Sequence, residues 1–87
     1  MASLDEIKVQ LGEALAIGDP DLAGSLTHDA LNSGADPLDL IQQVIVPTLT
    51  KVGQDFQDFV IFLPELMSAG EAAETATGII EEALAAK

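Results

Sequence analysis

Two punctuation marks divide the first half of this chain. Gly18-Asp19-Pro20 and Gly34-Ala35-Asp36-Pro37 each join a helix stop to a helix start. A glycine just past the last periodic residue ends a helix because it enters the left-handed conformation without a Cβ clash. The aspartate then accepts hydrogen bonds from free N–H groups of the next first turn, and proline fills the first helical position, where no donor is needed. Around these marks the apolar residues recur at three- and four-residue spacing, which confines the chain to helices joined by short loops.

The pattern predicts four helices, near 4–17, 20–33, 37–57 and 64–86, as one all-α four-helix bundle over residues 1–87. Ser3 with Glu6 reads as a capping box for the first, whose buried positions are Leu4, Ile7, Leu11, Ala14 and Leu15. The second buries Leu22, Leu26 and Ala30, flanked by Ala23 and Leu31. The third carries Leu38, Ile41, Val44, Ile45, Leu49, Val52 and Phe56 on one face. Pro47 lies inside that pattern and is expected to kink the helix rather than end it. The fourth starts at Pro64 and buries Leu66, Met67, Gly70, Ala73, Thr77, Ile80 and Leu84. Its many small residues allow another helix to approach closely.

The joint between the third and fourth helices is more apolar than the helices it connects. Residues 53–66 hold all three aromatic residues, Phe56, Phe59 and Phe62, and the apolar run Phe59 to Leu63. An apolar loop either folds back onto the core or meets something else. The expectation here is a division of labour, part core plug and part contact surface.

Composition removes whole classes of function. Fifteen acidic residues against three lysines give a net charge of −12. Lys8, Lys51 and Lys87 cannot form the basic cluster that a phosphate backbone or an anionic membrane surface needs, so neither nucleic acid nor membrane is an expected partner. There is no cysteine for a disulfide or thiolate site, and no apolar run approaches the roughly 20 residues of a membrane span. No signal peptide is visible at the N-terminus, which makes the cytoplasm the expected compartment.

Catalytic and metal chemistry is also missing from the pattern. His28 is the single histidine and sits mid-helix without a second ligand at zinc spacing. Asp19 with Asp21, and Asp36 with Asp39, lack the order of a calcium loop and stand where N-caps belong. No nucleophile has a nominated base or oxyanion hole. The chain is expected not to be an enzyme by itself.

One constellation does resemble a known family. Val52-Gly53-x-x-Phe56, six further residues, then Leu63-Pro64-Glu65-Leu66 and a helix of small residues is similar to the helical cap of cobalamin-dependent proteins. These are the corrinoid proteins of methyltransferase systems and the matching module of cobalamin-dependent methionine synthase. The likeness covers nearly the whole chain, including the Gly18-Asp19-Pro20 entry to the second helix and the run from Ile41 through Pro47 and Leu49 to Gly53. It implies a four-helix bundle that lies over the upper face of methylcobalamin and moves aside for methyl transfer. The implied corrin-contacting positions are Phe56, Leu63 and Leu66. A corrin face is broad and apolar, and an aromatic and aliphatic lid excludes water from it.

Two departures from the family stand out. It usually has glycine and polar residues between the Phe and the Leu-Pro-Glu, where this chain has Phe59, Val60 and Ile61. The family's cobalamin-binding domain carries D-x-H-x-x-G, which this sequence lacks. The resemblance therefore implies a cap that meets cobalamin only when a cobalamin-binding domain is present, with that domain and a methyltransferase as partners. It implies either a piece of a larger corrinoid protein or a free-standing domain. The competing readings are a self-associating helical scaffold and an acyl-carrier-like protein. The carrier reading is weakened because Ser25 lacks the preceding Asp and lies within a helix. With its apolar face uncovered, the isolated chain is expected to form a homodimer around residues 56–66.

Overall fold

A computed structural model of the chain describes residues 3–86. Within them lie α1 (Leu4–Ile17), α2 (Pro20–Asn32), α3 (Pro37–Leu40), a π-helical turn (Ile41–Ile45), α4 (Val46–Gln57) and α5 (Leu63–Ala85), with no strand. The backbone stays right-handed helical through Leu40, Ile41, Ile45 and Val46. α3, the π turn and α4 therefore form one rod, and the fold is an all-α bundle of four helical rods.

The start signals act as their chemistry requires. Asp19 Oδ1 accepts from Leu22 N–H at 3.1 Å, Asp36 Oδ1 from Leu38 N–H at 2.9 Å, and Ser3 Oγ from Glu6 N–H at 3.2 Å. Both glycine stops are left-handed, Gly18 at φ 77° and Gly34 at φ 98°. Each lies in a Schellman turn. Gly18 and Asp19 donate to Leu15 O and Ala14 O, and Gly34 and Ala35 donate to Leu31 O and Ala30 O.

Pro47 disturbs the third rod without ending it. It has no N–H, so the Gln43 carbonyl one turn earlier loses its helical donor and is crowded by the ring. The chain responds with a wide turn just before the proline, in which Val46 N–H reaches back five residues to Ile41 O.

The core gathers one face of each rod. Leu11, Leu15, Leu40, Ile80 and Thr27 are the largest fully buried side chains. Thr27 is satisfied through its Oγ1, which donates to Ala23 O at 2.7 Å. α2 lies against both α1 and α5. Its approach to α5 depends on small residues. Gly24 is buried, and a Cβ there would come within 3.3 Å of Thr75 Cγ2 and 3.5 Å of Ile79 Cδ1.

Several expected core positions are not in the core. On α2, Leu22 is exposed and the neighbouring Ala23 is fully buried. On the third rod, Leu38 and Phe56 are exposed at its two ends, while Val44, Ile45 and Val52 are buried. On α5 the buried face is Ala69, Ala72, Ala73, Ala76 and Ile80, and both Met67 and Gly70 face outward. The cause is common to α2 and α5. Where two helices meet closely, the contact selects for small side chains over hydrophobic ones, so alanine wins the interior and the larger neighbour is turned out.

Candidate functional site

The three residues nominated from the sequence lie on either side of one helix-to-helix turn. Phe56 is in the last turn of α4, Leu63 opens α5, and Leu66 follows one turn later on the same side of α5. Phe56 and Leu63 are exposed, and Leu66 is half-buried.

The turn between the helices is tightly specified. Phe59 N–H donates to Phe56 O at 3.2 Å and Val60 N–H to Asp55 O at 2.8 Å, which is again the Schellman pattern. The left-handed position is occupied here by Phe59, at φ 62°, the one non-glycine residue with positive φ among those described. A side chain in that region costs about 1–2 kcal/mol. α5 then begins with a reciprocal contact, Glu65 Oε1 accepting from Phe62 N–H at 3.2 Å. Phe62 has no acceptor to complete a capping box, so only this half exists.

The expectation that residues 53–66 divide between core plug and contact surface is corrected by their exposure. Phe59 is 83% exposed, Val60 and Phe62 67% each, Leu63 55% and Phe56 37%; only Ile61 of the apolar run is half-buried. The backbone hydrogen bonds of the turn are satisfied locally, so nothing requires its side chains to fold inward. Met67, 59% exposed, extends the surface along α5. Its i+4 spacing from Leu63 puts it on the same stripe of α5, a signal that hydrophobicity alone, which predicts burial, conceals.

The surroundings are acidic. Asp58 and Glu65 are exposed beside the apolar residues, and the one nearby lysine, Lys51, is paired with Asp55 one turn along α4. His28 is exposed on α2, which contributes nothing to this surface. Among the described residues no cluster of three or more His, Cys, Asp or Glu side chains is placed to hold a metal ion, and no helix is long and apolar enough to cross a membrane. The surface consists of exposed apolar side chains flanked by carboxylates.

Comparison with known proteins gives a consistent result. Residues 8–81 match the model of the B12 binding domain family. The chain is 33% identical over 81 residues to trimethylamine corrinoid protein 1 of Methanosarcina acetivorans, covering 93% of this chain and 38% of that protein. It is 39% identical over 67 residues to monomethylamine corrinoid protein 1 of Methanosarcina mazei, covering 75% and 31%. It is 31% identical over 87 residues to a corrinoid protein of Desulfitobacterium hafniense, covering 100% and 38%. The chain thus spans between 31% and 38% of the length of these curated relatives. No solved structure matches it significantly.

Proposed function

The chain belongs to the B12 binding domain family, and from that membership we propose that it is a cap that covers the upper face of methylcobalamin in a methyltransferase system. The observation that carries this reading is the exposure of Phe56 and Leu63, with Leu66 beside them, on a face the bundle does not use for its own packing. A broad apolar macrocycle face suits such side chains, because contact removes apolar surface of both from water.

In this reading the chain supplies no reacting group. A neighbouring cobalamin-binding domain holds the corrinoid, which supplies the methyl group when bound. Phe56, Leu63 and Leu66 exclude water from above and withdraw when a methyltransferase engages. Two relatives are named for trimethylamine and monomethylamine, so a methylamine is the first donor to test.

The experiment joins the chain to a cobalamin-binding domain and follows the methyl-cobalt absorbance in light and air. Phe56→Ala with Leu63→Ala raises the rate of photolysis or oxidation severalfold, with helix content unchanged. Equal rates in the substituted and unsubstituted proteins remove these residues from the role.

A further inference from the structure

The outward face of α5 is divided into a large half and a small half. At 3.6 residues per turn, Leu63, Met67, Gly70, Glu74, Thr77 and Glu81 fall along one stripe, away from the buried alanines. Its first half carries Leu63 and Met67, both exposed, and is continuous with Phe62 and Phe59. Its second half is open. Leu49, Gly70, Ala73, Thr77 and Gly78, with Glu74 and Glu81, border a groove of about 560 Å³ along α4 and α5. A Cβ added at Gly70 or at Gly78 would meet nothing within 4 Å.

We infer that a second copy of this chain covers this face, with the two α5 helices antiparallel and crossing at Gly70. Reversal about Gly70 brings residues equally far from it, on either side, to the same level. Phe62 of one copy lies level with Gly78 of the other, and Leu63 with Thr77. At these two levels a large residue meets a smaller one, which is what close helix packing requires, while Glu74 falls level with Leu66 and Glu81 with Phe59. Parallel pairing would set large on large and leave the groove empty. Crossing at a glycine also permits the nearest approach of the two backbones.

The available area suits a pair. Three phenylalanines at these exposures, each offering roughly 150–250 Å² in full, together with Val60, Leu63 and Met67 form an apolar surface on the order of 600 Å². That is the upper end of what typical monomers leave open, roughly 300–600 Å². Covered on both copies, it clears the roughly 1,000 Å² total that a specific interface needs. A twofold pair is also the commonest closed assembly. The net charge of −12 opposes pairing, and Glu74 and Glu81 border the interface. Added salt, which screens charges beyond about 8 Å at physiological strength, therefore tightens the dimer.

The inference does not rest on the corrinoid reading: its register comes from the α5 face, and its area from the exposed residues of that face and of the adjoining turn and α4 end. The two compete for Leu63, so a joined cobalamin domain and a second copy exclude each other.

The absence of cysteine makes the register directly testable. Disulfide formation needs Cα atoms roughly 4.4–6.8 Å apart. On oxidation, Gly70→Cys alone gives a covalent dimer. Leu63→Cys alone and Thr77→Cys alone give none, but an equal mixture of the two gives the mixed dimer. Light scattering of the unsubstituted chain shows dimer mass at high micromolar concentration, with the dimer fraction rising with salt. Gly78→Leu, which fills the level opposite Phe62, weakens association at least tenfold while circular dichroism stays helical. A monomer under these conditions overturns the proposal, as does efficient self-cross-linking of Leu63→Cys. Failure of methyl-cobalt protection in the joined protein leaves it intact.

Discussion

The turns after α1 and after α4 have the same hydrogen-bond pattern and opposite surroundings. After α1, Gly18 holds the left-handed position, and a Cβ there would lie 2.4 Å from Ser68 Cβ and 2.8 Å from the Ser68 carbonyl carbon. After α4, Phe59 holds the equivalent position with its side chain largely in solvent. The first turn is wedged against α5 inside the bundle, and the second projects from one end. The turn after α2 is the control, since Gly34 is left-handed with nothing within 4 Å of where a Cβ would be. A Schellman turn thus needs glycine for two separable reasons, backbone conformation and available space. Only the first operates at residue 59.

This separation can be tested by substitution, from the largest effect down. Gly18→Ala combines left-handed strain, about 1–2 kcal/mol, with overpacking against backbone that cannot yield, about 1–3 kcal/mol. Urea unfolding is expected to show a loss of about 2–5 kcal/mol; a loss of only the roughly 1–2 kcal/mol of strain would mean that Ser68 moves aside freely. Gly34→Ala isolates the conformational part and loses about 1–2 kcal/mol. If the two alanine variants lose equal stability, space plays no part at Gly18.

Phe59→Gly runs the comparison backwards. Removing the left-handed side chain stabilises the fold by up to about 1 kcal/mol, after allowance for the greater freedom of glycine in the unfolded chain. In a domain of this size that is a rise in Tm of roughly 4–8 °C per kcal/mol. A fall in Tm would show that the Phe59 ring packs on the bundle. The smallest effect belongs to Leu63→Ala, which, at concentrations low enough to keep the chain monomeric, changes stability by no more than about 0.5 kcal/mol, as surface substitutions do. A core leucine would lose about 2–5 kcal/mol, and Leu11→Ala serves as that reference because Leu11 is fully buried. Equal losses at Leu63 and Leu11 would assign Leu63 to packing.

Phe59 is therefore a residue held in place against its own conformational preference. Such strain persists where the surroundings fix it, and it collects at sites that do something. Here the fixing contacts are the bonds from Phe59 to Phe56 O and from Val60 to Asp55 O. They hold an aromatic ring next to the face on which both the cap reading and the antiparallel pair depend.

The candidate site was only half legible in the sequence. Phe56, Leu63 and Leu66 stand out by a motif, and all three fall at the same turn, yet Phe56 also fits the buried stripe of the third rod. Periodicity cannot separate these uses, because an exposed phenylalanine at helical spacing looks the same as a buried one. Met67 is ambiguous for the same reason.

The sequence alone determined where the helices begin and end. Asp19, Asp36, Gly18 and Gly34 act on backbone groups within a few residues, so their effect needs no distant partner. The perturbation at Pro47 is equally local, since a missing donor must be answered within a turn. Tertiary structure alone decided which face of each helix is inside. α2 and α5 approach closely through Ala23, Gly24 and the alanines of α5, and that contact turns Leu22 and Met67 outward. Burial is a property of pairs of surfaces, and shape at the contact outweighs the hydrophobicity of any single residue when both sides are apolar. The same holds for the 56–67 surface. Its composition is written in the chain, but its exposure follows from a bundle already filled by small residues, with no room for three phenylalanines.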